Sequence, residues 1–300
     1  MTASVTGLDG GGGKVPTTVA QGFRTLRVRT NITAIQTAIV ARRQNNVRSA
    51  VAAEMEVTGS FLTGSYVRST LVAPLAEADV DIVVVLHSKY AASGATNVLD
   101  RTRRALLAQY DTPKVSRNGQ AVTITFTDFK VDVVPAFERS GGGLLICDST
   151  TNSWIATDPQ RHIQQSAVAN QAHSGNLVPM VKMLKAWNKH NGEWFRSFHL
   201  EVLAWQIFSG VTISNDWSGV RYFFDKARAT AQQVVPDPAG YGADVAGYID
   251  TLEKARTAHA RFSRAHEIAH AAEAHGNAGR TNAAFVEWRK LFGDYFPGYA

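Results

Sequence analysis

Residues 79 to 86 read Asp-Val-Asp-Ile-Val-Val-Val-Leu, a β-branched run that opens on two carboxylates. A segment apolar at every position after Asp81 predicts a strand buried on both faces, which in turn requires a sheet covered on each side. Side chains of a strand alternate, so Asp79 and Asp81 project from the same face and converge on one point. Two carboxylates at the mouth of a buried strand are costly unless a cation neutralises them, and a hard, oxygen-seeking ion such as Mg²⁺ is the natural partner. A third isolated charge, Asp132, stands in Val131-Asp132-Val133-Val134. Three such carboxylates are enough to hold two metal ions. A pair of ions about 4 Å apart supports in-line phosphoryl or nucleotidyl transfer, one activating the attacking hydroxyl and the other stabilising the leaving group.

The rest of the chain supplies the cover that such a strand needs. Ala121 to Phe137 alternates through Val122, Ile124 and Phe126, turns near Asp128-Phe129-Lys130 and continues as a second strand; Asn97 to Tyr110 is helical. Residues 17 to 55 carry Ile32, Ile35, Ile39, Val47 and Val51 at helical spacing, which predicts one long helix or two in succession. From Asn176 the pattern is almost wholly helical: Leu177, Met180, Val181, Leu184 and Trp187 form one stripe, and Phe198–Phe208, Tyr248–Ala274 and Asn282–Phe292 follow. The expected fold class is α+β. A glycine-rich leader over 1–16 precedes a β-containing half over 17–150 and a helical half over 151–300. With 45% hydrophobic and 19% charged residues, the 300-residue composition excludes a disordered chain. No apolar run approaches the roughly 18 residues of a membrane span. Cys147 has no second cysteine to pair with, so a reducing cytoplasm is expected, and the net charge of +6 favours a polyanionic ligand such as a nucleotide.

Gly64-Ser65, ahead of the strand, allows a backbone to approach phosphates closely with a hydroxyl beside it. The order Gly-Ser, Asp-x-Asp and a later strand Asp resembles the DNA polymerase β-like nucleotidyltransferase superfamily. Within it, Phe61-Leu62-Thr63-Gly64-Ser65 through Arg68-Ser69-Thr70, then Asp79 to Val85, is similar to the bacterial cGAS/DncV-like nucleotidyltransferases (CD-NTases) of CBASS anti-phage signalling. Val181-Lys182-Met183-Leu184-Lys185-Ala186-Trp187-Asn188, Arg196 to Glu201 and Trp288 to Gly293 resemble the same family, so the likeness covers residues 20 to 296.

That resemblance implies a polymerase β-like core with a long N-terminal helix and a C-terminal helical domain. It implies that Asp79, Asp81 and Asp132 bind two Mg²⁺ or Mn²⁺ ions, and that Gly64 and Ser65 contact the nucleotide phosphates. Lys185 and Ser197 would hold the donor triphosphate, Lys182 would join them, and Phe198, where relatives often carry tyrosine, would stack on a base. The implied product is a cyclic oligonucleotide second messenger made from ATP and other nucleoside triphosphates, adenine-containing and a trinucleotide, in anti-phage defence. Defence-system regulatory proteins are the expected partners, with no membrane and no obligatory nucleic acid. The alternative within the superfamily is a transferase directed at RNA or a small molecule. From the pattern alone, Lys182, Lys185 and Lys189 also fit a solvated flank of their helix.

A motif of another class, His266-Glu267-Ile268-Ala269-His270, matches the zinc-protease pattern of two histidines at i and i+4. Its longer form needs glycine at 273 and histidine at 276, where Glu273 and Gly276 stand. Histidines facing water on an alanine-rich helix are the expectation.

Overall fold

A computed structural model describes residues 16–110 and 115–299, and the expected leader over 1–16 lies outside the described residues save for Pro16. The chain opens with α1 (Val19–Arg29) and α2 (Ala34–Ala52). Each begins at a capping box, Thr18 with Gln21 and Thr33 with Gln36, in which hydroxyl and amide satisfy each other's backbone N–H. The second cap is also why the N-terminal helix is two helices rather than one long one: Thr33 is extended and starts the helix afresh.

β1 (Val57–Leu62), the one-turn α3 (Gly64–Val67), β2 (Asp79–Leu86), α4 (Ala95–Gln109), β3 (Val115–Asn118), β4 (Ala121–Thr125), β5 (Lys130–Glu138), β6 (Leu144–Asp148) and β7 (Ser153–Thr157) follow. The seven strands form one sheet in the order β1-β2-β5-β4-β3, with β6 pairing β5 and β7 pairing β6. Only β2 and β5 run parallel; the other pairs are antiparallel. The sheet continues to Thr157, so residues 153–157, expected with the helical half, are strand.

The buried-strand expectation for β2 holds on both faces. Val80, Ile82, Val84 and Leu86 pack with Val47 and Val51 of α2 and Val98, Leu99 and Leu106 of α4. Val83 and Val85 pack on the opposite face with Ala136, Ile146, Phe61 and Ile155. By alternation Asp79 and Asp81 lie on this second face.

The helical half contains α5 (Pro159–Ala172), α6 (Leu177–His190), α7 (Ser197–Phe208), α8 (Asp216–Thr230), α9 (Leu252–Asn277) and α10 (Thr281–Phe292). Its core joins Trp187, Phe195, Phe223, Phe262, Trp288 and Phe292. Phe23 and Leu26 of α1 belong to the same cluster, with the Phe23 ring edge-on to Trp288 at 4.9 Å. The first helix, expected with the β-containing half, therefore packs in the helical half, while α2 stays with the sheet. Its partners lie near the other end of the chain, beyond what local periodicity reveals.

Candidate active site

Parallel pairing sets Asp81 of β2 directly opposite Asp132 of β5, with Asp79 opposite Lys130. Asp79 is exposed at the strand mouth, and Asp81 and Asp132 are half-buried. The turn after β1 closes over Asp81: Thr63 N–H donates to the Asp81 carbonyl at 2.9 Å. Gly64 has φ +67°, and a Cβ on it would stand 1.8 Å from Asp81 Oδ2. The carboxylate thus occupies the room that any other residue's side chain would take, which gives the Gly-Ser step a steric reason.

Burial pushes the Asp81 carboxyl up to about 6, the Asp132 and Asp79 charges add to that, and Arg68 and Lys185 oppose it. Burial likewise raises Asp132, held back by the Thr123 hydroxyl that donates to its Oδ1 at 2.5 Å. Repulsion between carboxylates gathered on one face, together with hard oxygen donors and a glycine that leaves them space, fits a divalent cation. Among the described residues, no three acidic, histidine or cysteine side chains already stand at metal-holding separation.

Of the phosphate-binding candidates, Lys185 meets the segment that follows this turn. Lys185 is 4% exposed, and its ammonium donates to Thr70 O at 3.1 Å, to Thr70 Oγ1 at 3.2 Å and to the Glu201 carboxylate. Arg68 Nε donates to Glu201 Oε2 at 2.8 Å. Burial works against the Glu201 charge, but Lys185 and Arg68 together draw its carboxyl down to about 2. Lys182 donates to Asn31 Oδ1 at 2.7 Å and is pushed down to about 8 by burial, with the Lys185 charge adding to it. Lys189 reaches Glu77 at 3.5 Å. The solvated-flank reading of these lysines is corrected: Lys182 and Lys185 are buried and Lys189 half-buried, with residues 31, 70 and 77 supplying their acceptors.

Ser197 is exposed at the start of α7, and Phe198 is half-buried beside it. The Phe198 ring lies 4.9 Å from the Arg68 guanidinium and 4.9 Å from the His162 ring. His162 is fixed by Asp237 at 2.6 Å. Sequence reasoning assigned no role to Glu201 or His162. For Glu201 the signal was available, a lone carboxylate within an apolar helix, as with Asp81 in its strand.

His266 lies 3.7 Å from Asp225, and Glu267 and His270 are exposed. No third ligand joins the two histidines among the described residues. The expectation of water-facing histidines is met by His270 and not by His266, which is half-buried against Asp225.

Comparison with known proteins gives a consistent result. The family model for the SMODS domain, Second Messenger Oligonucleotide or Dinucleotide Synthetase, matches residues 17–170. A probable cyclic nucleotide synthase of Bacillus cereus (strain VD146) is 24% identical over 276 residues, 79% of this chain and 81% of that protein. The cyclic AMP-AMP-AMP synthase of an Acinetobacter strain is 30% identical over 138 residues, 44% of this chain and 40% of that one. In fold, the E. coli MS115-1 CdnC solved with HORMA-deltaN matches with TM-score 0.70 at 17% identity, covering 93% of this chain and 98% of that one. Vibrio cholerae DncV, solved with a linear pppApG intermediate, matches with TM-score 0.67 at 14% identity over 93% and 87%.

Proposed function

Because the chain belongs to the second messenger oligonucleotide or dinucleotide synthetases, the CD-NTase type of nucleotidyltransferase, we propose that it joins ATP, with or without other nucleoside triphosphates, into an adenine-containing cyclic oligonucleotide. The in-register Asp81–Asp132 pair beneath Gly64 carries this reading. Asp79, Asp81 and Asp132 would hold two Mg²⁺ or Mn²⁺ ions, which when bound supply a Lewis acid at the donor α-phosphate and ease ionisation of the attacking hydroxyl. In this reading Gly64 and Ser65 approach the donor phosphates, and Lys182, Lys185 and Ser197 are the residues assigned to the triphosphate. Asp132 stands nearest the attacking ribose hydroxyl. The hydroxyl oxygen bonds to the α-phosphorus, the bond to pyrophosphate breaks, and the hydroxyl proton passes to the base beside it. A linear product that stays bound then attacks its own triphosphate and releases a further pyrophosphate, since proximity favours closure over encounter with another molecule.

A trinucleotide ring is the product favoured by the resemblance to the Acinetobacter synthase. Among the described residues no helix is long and apolar enough to cross a membrane, and the reading places synthesis in the cytoplasm, under a regulatory protein of the same defence system. The test is incubation with each labelled nucleoside triphosphate, then phosphatase digestion and high-resolution mass spectrometry. A phosphatase-resistant cyclic adenylate is expected; product that is only linear, or attached to RNA or a small molecule, overturns the cyclase reading.

A further inference from the structure

Glu201 sits in mid-α7 between Leu200 and Val202 with its side chain 0% exposed. A buried carboxylate is tolerated where its oxygens are met by cations, and both of them are. Oε2 accepts from Arg68 Nε at 2.8 Å, and Oε1 accepts from Arg68 Nη2 at 3.2 Å and from Lys185. The two cations come from different halves of the molecule, Arg68 from the turn after α3 and Lys185 from α6.

Lys185 is fully engaged. An ammonium has three protons, and Glu201 Oε1, Thr70 O and Thr70 Oγ1 accept them. Thr70 and Leu71 donate their N–H groups to Ser65 O at 2.9 and 3.0 Å, and Arg68 N–H donates to Gly64 O at 3.3 Å. An unbroken path of hydrogen bonds therefore runs from Glu201 to Gly64 and Ser65.

We infer that Glu201 is a positioning residue for nucleotidyl transfer: it pins Lys185 and Arg68 and, through Thr70, sets the Gly64–Ser65 turn against the donor phosphates. This rests on the proposed transfer site. Glu201 also keeps a fully buried ammonium charged. Burial draws Lys185 down from its ordinary value and Arg68 pushes the same way, while Glu201 and, from β2, Asp81 oppose them. Lys182 is the neighbouring cation on α6, Arg68 and Glu201 face Lys185 from α3's turn and α7, and Glu201 is the largest opposing charge. Glu201→Gln keeps the shape and removes that charge, so Lys185 loses its proton at lower pH and the turn loses its anchor.

The experiment is the pH profile of kcat/KM for ATP, with titration of a non-hydrolysable ATP analogue in Mg²⁺ across the same range. In Glu201→Gln the alkaline limb moves down by about one pH unit or more, and kcat/KM at pH 8 falls about tenfold or more. Analogue affinity follows the same shift, and KM rises by a larger factor than kcat falls. Thr70→Val removes one acceptor of Lys185 while conserving volume, and moves both profiles the same way by a smaller step. A profile of unchanged shape, merely scaled down alongside a lower Tm, overturns the inference. Should Glu201→Gln not fold, an unmoved profile in Thr70→Val overturns it equally. Wild-type protein that binds the analogue but makes no product rejects the transferase reading, and the analogue titration still decides the role of Glu201.

Discussion

At Gly64 a single methyl group decides whether the site exists. The Cβ of an alanine would lie 1.8 Å from Asp81 Oδ2 and 2.7 Å from its Cγ, at a φ of +67° that L side chains rarely adopt. Gly64→Ala therefore displaces the carboxylate. Nucleotide incorporation is expected to fall about a hundredfold, the scale of a misplacement of about 1 Å, while the left-handed conformation costs about 1–2 kcal/mol of stability. Parallel measurement of pyrophosphate release and thermal unfolding separates the two effects, and retained activity would show that the turn does not press on Asp81. The carboxylates themselves predict the opposite stability sign. Asp79→Asn with Asp81→Asn removes like charge from around Asp132, so Tm should hold or rise while incorporation drops by about a thousandfold or more. Product formation by a folded double variant would remove these residues from the reaction.

Among the elements, α7 concentrates polar chemistry: exposed Ser197 at its start, and buried His199 and Glu201 along the turns that follow. Burial pushes His199 down to about 4, and its Nδ1 lies 2.8 Å from the Tyr248 hydroxyl. The folded chain takes up that proton near pH 4 and the unfolded chain near 6.5, so between these values the unfolded state binds more protons and stability rises with pH. The contribution, about 3 kcal/mol, is complete above pH 6.5 and is lost on acidification toward pH 4. Urea unfolding at pH 4.5, 5.5 and 7 should show His199→Asn with a shallower acid decline than the wild type; parallel declines would place the histidine in water. Elements also mark where the sequence was legible. β2 announced itself because two carboxylates interrupt an otherwise apolar run, and the same contrast exposed Asp132. β1 did not, since Val57–Leu62 contains Gly59 and is half-exposed along most of its length. Nor did the fate of the α6 lysines: helical periodicity sorts apolar from polar faces, but a polar flank can be covered by another segment, as Thr70 covers Lys185 here.

Across the whole molecule, the α+β class was readable, but the packing of α1 was not. Local pattern shows that α1 has an apolar face and says nothing of which distant surface receives it. Phe23 meets Trp288 at 4.9 Å and Phe296 at 5.3 Å, and is 1% exposed. Phe23→Ala should cost about 3–5 kcal/mol, the usual range for a buried phenylalanine, and chemical denaturation measures it; a loss under about 1 kcal/mol would mean that the site collapses around the gap. The same packing has a consequence for biosynthesis. α1 leaves the ribosome well before Trp288, Phe292 and Phe296, which pack on Phe23 from far along the sequence. At ordinary elongation rates α1 waits on the order of tens of seconds with its apolar face uncovered, while the sheet half, complete by Thr157, already has every strand it needs. The nascent chain therefore completes its sheet early and carries an uncovered helix until residues 285–296 emerge, a surface on which a chaperone can act.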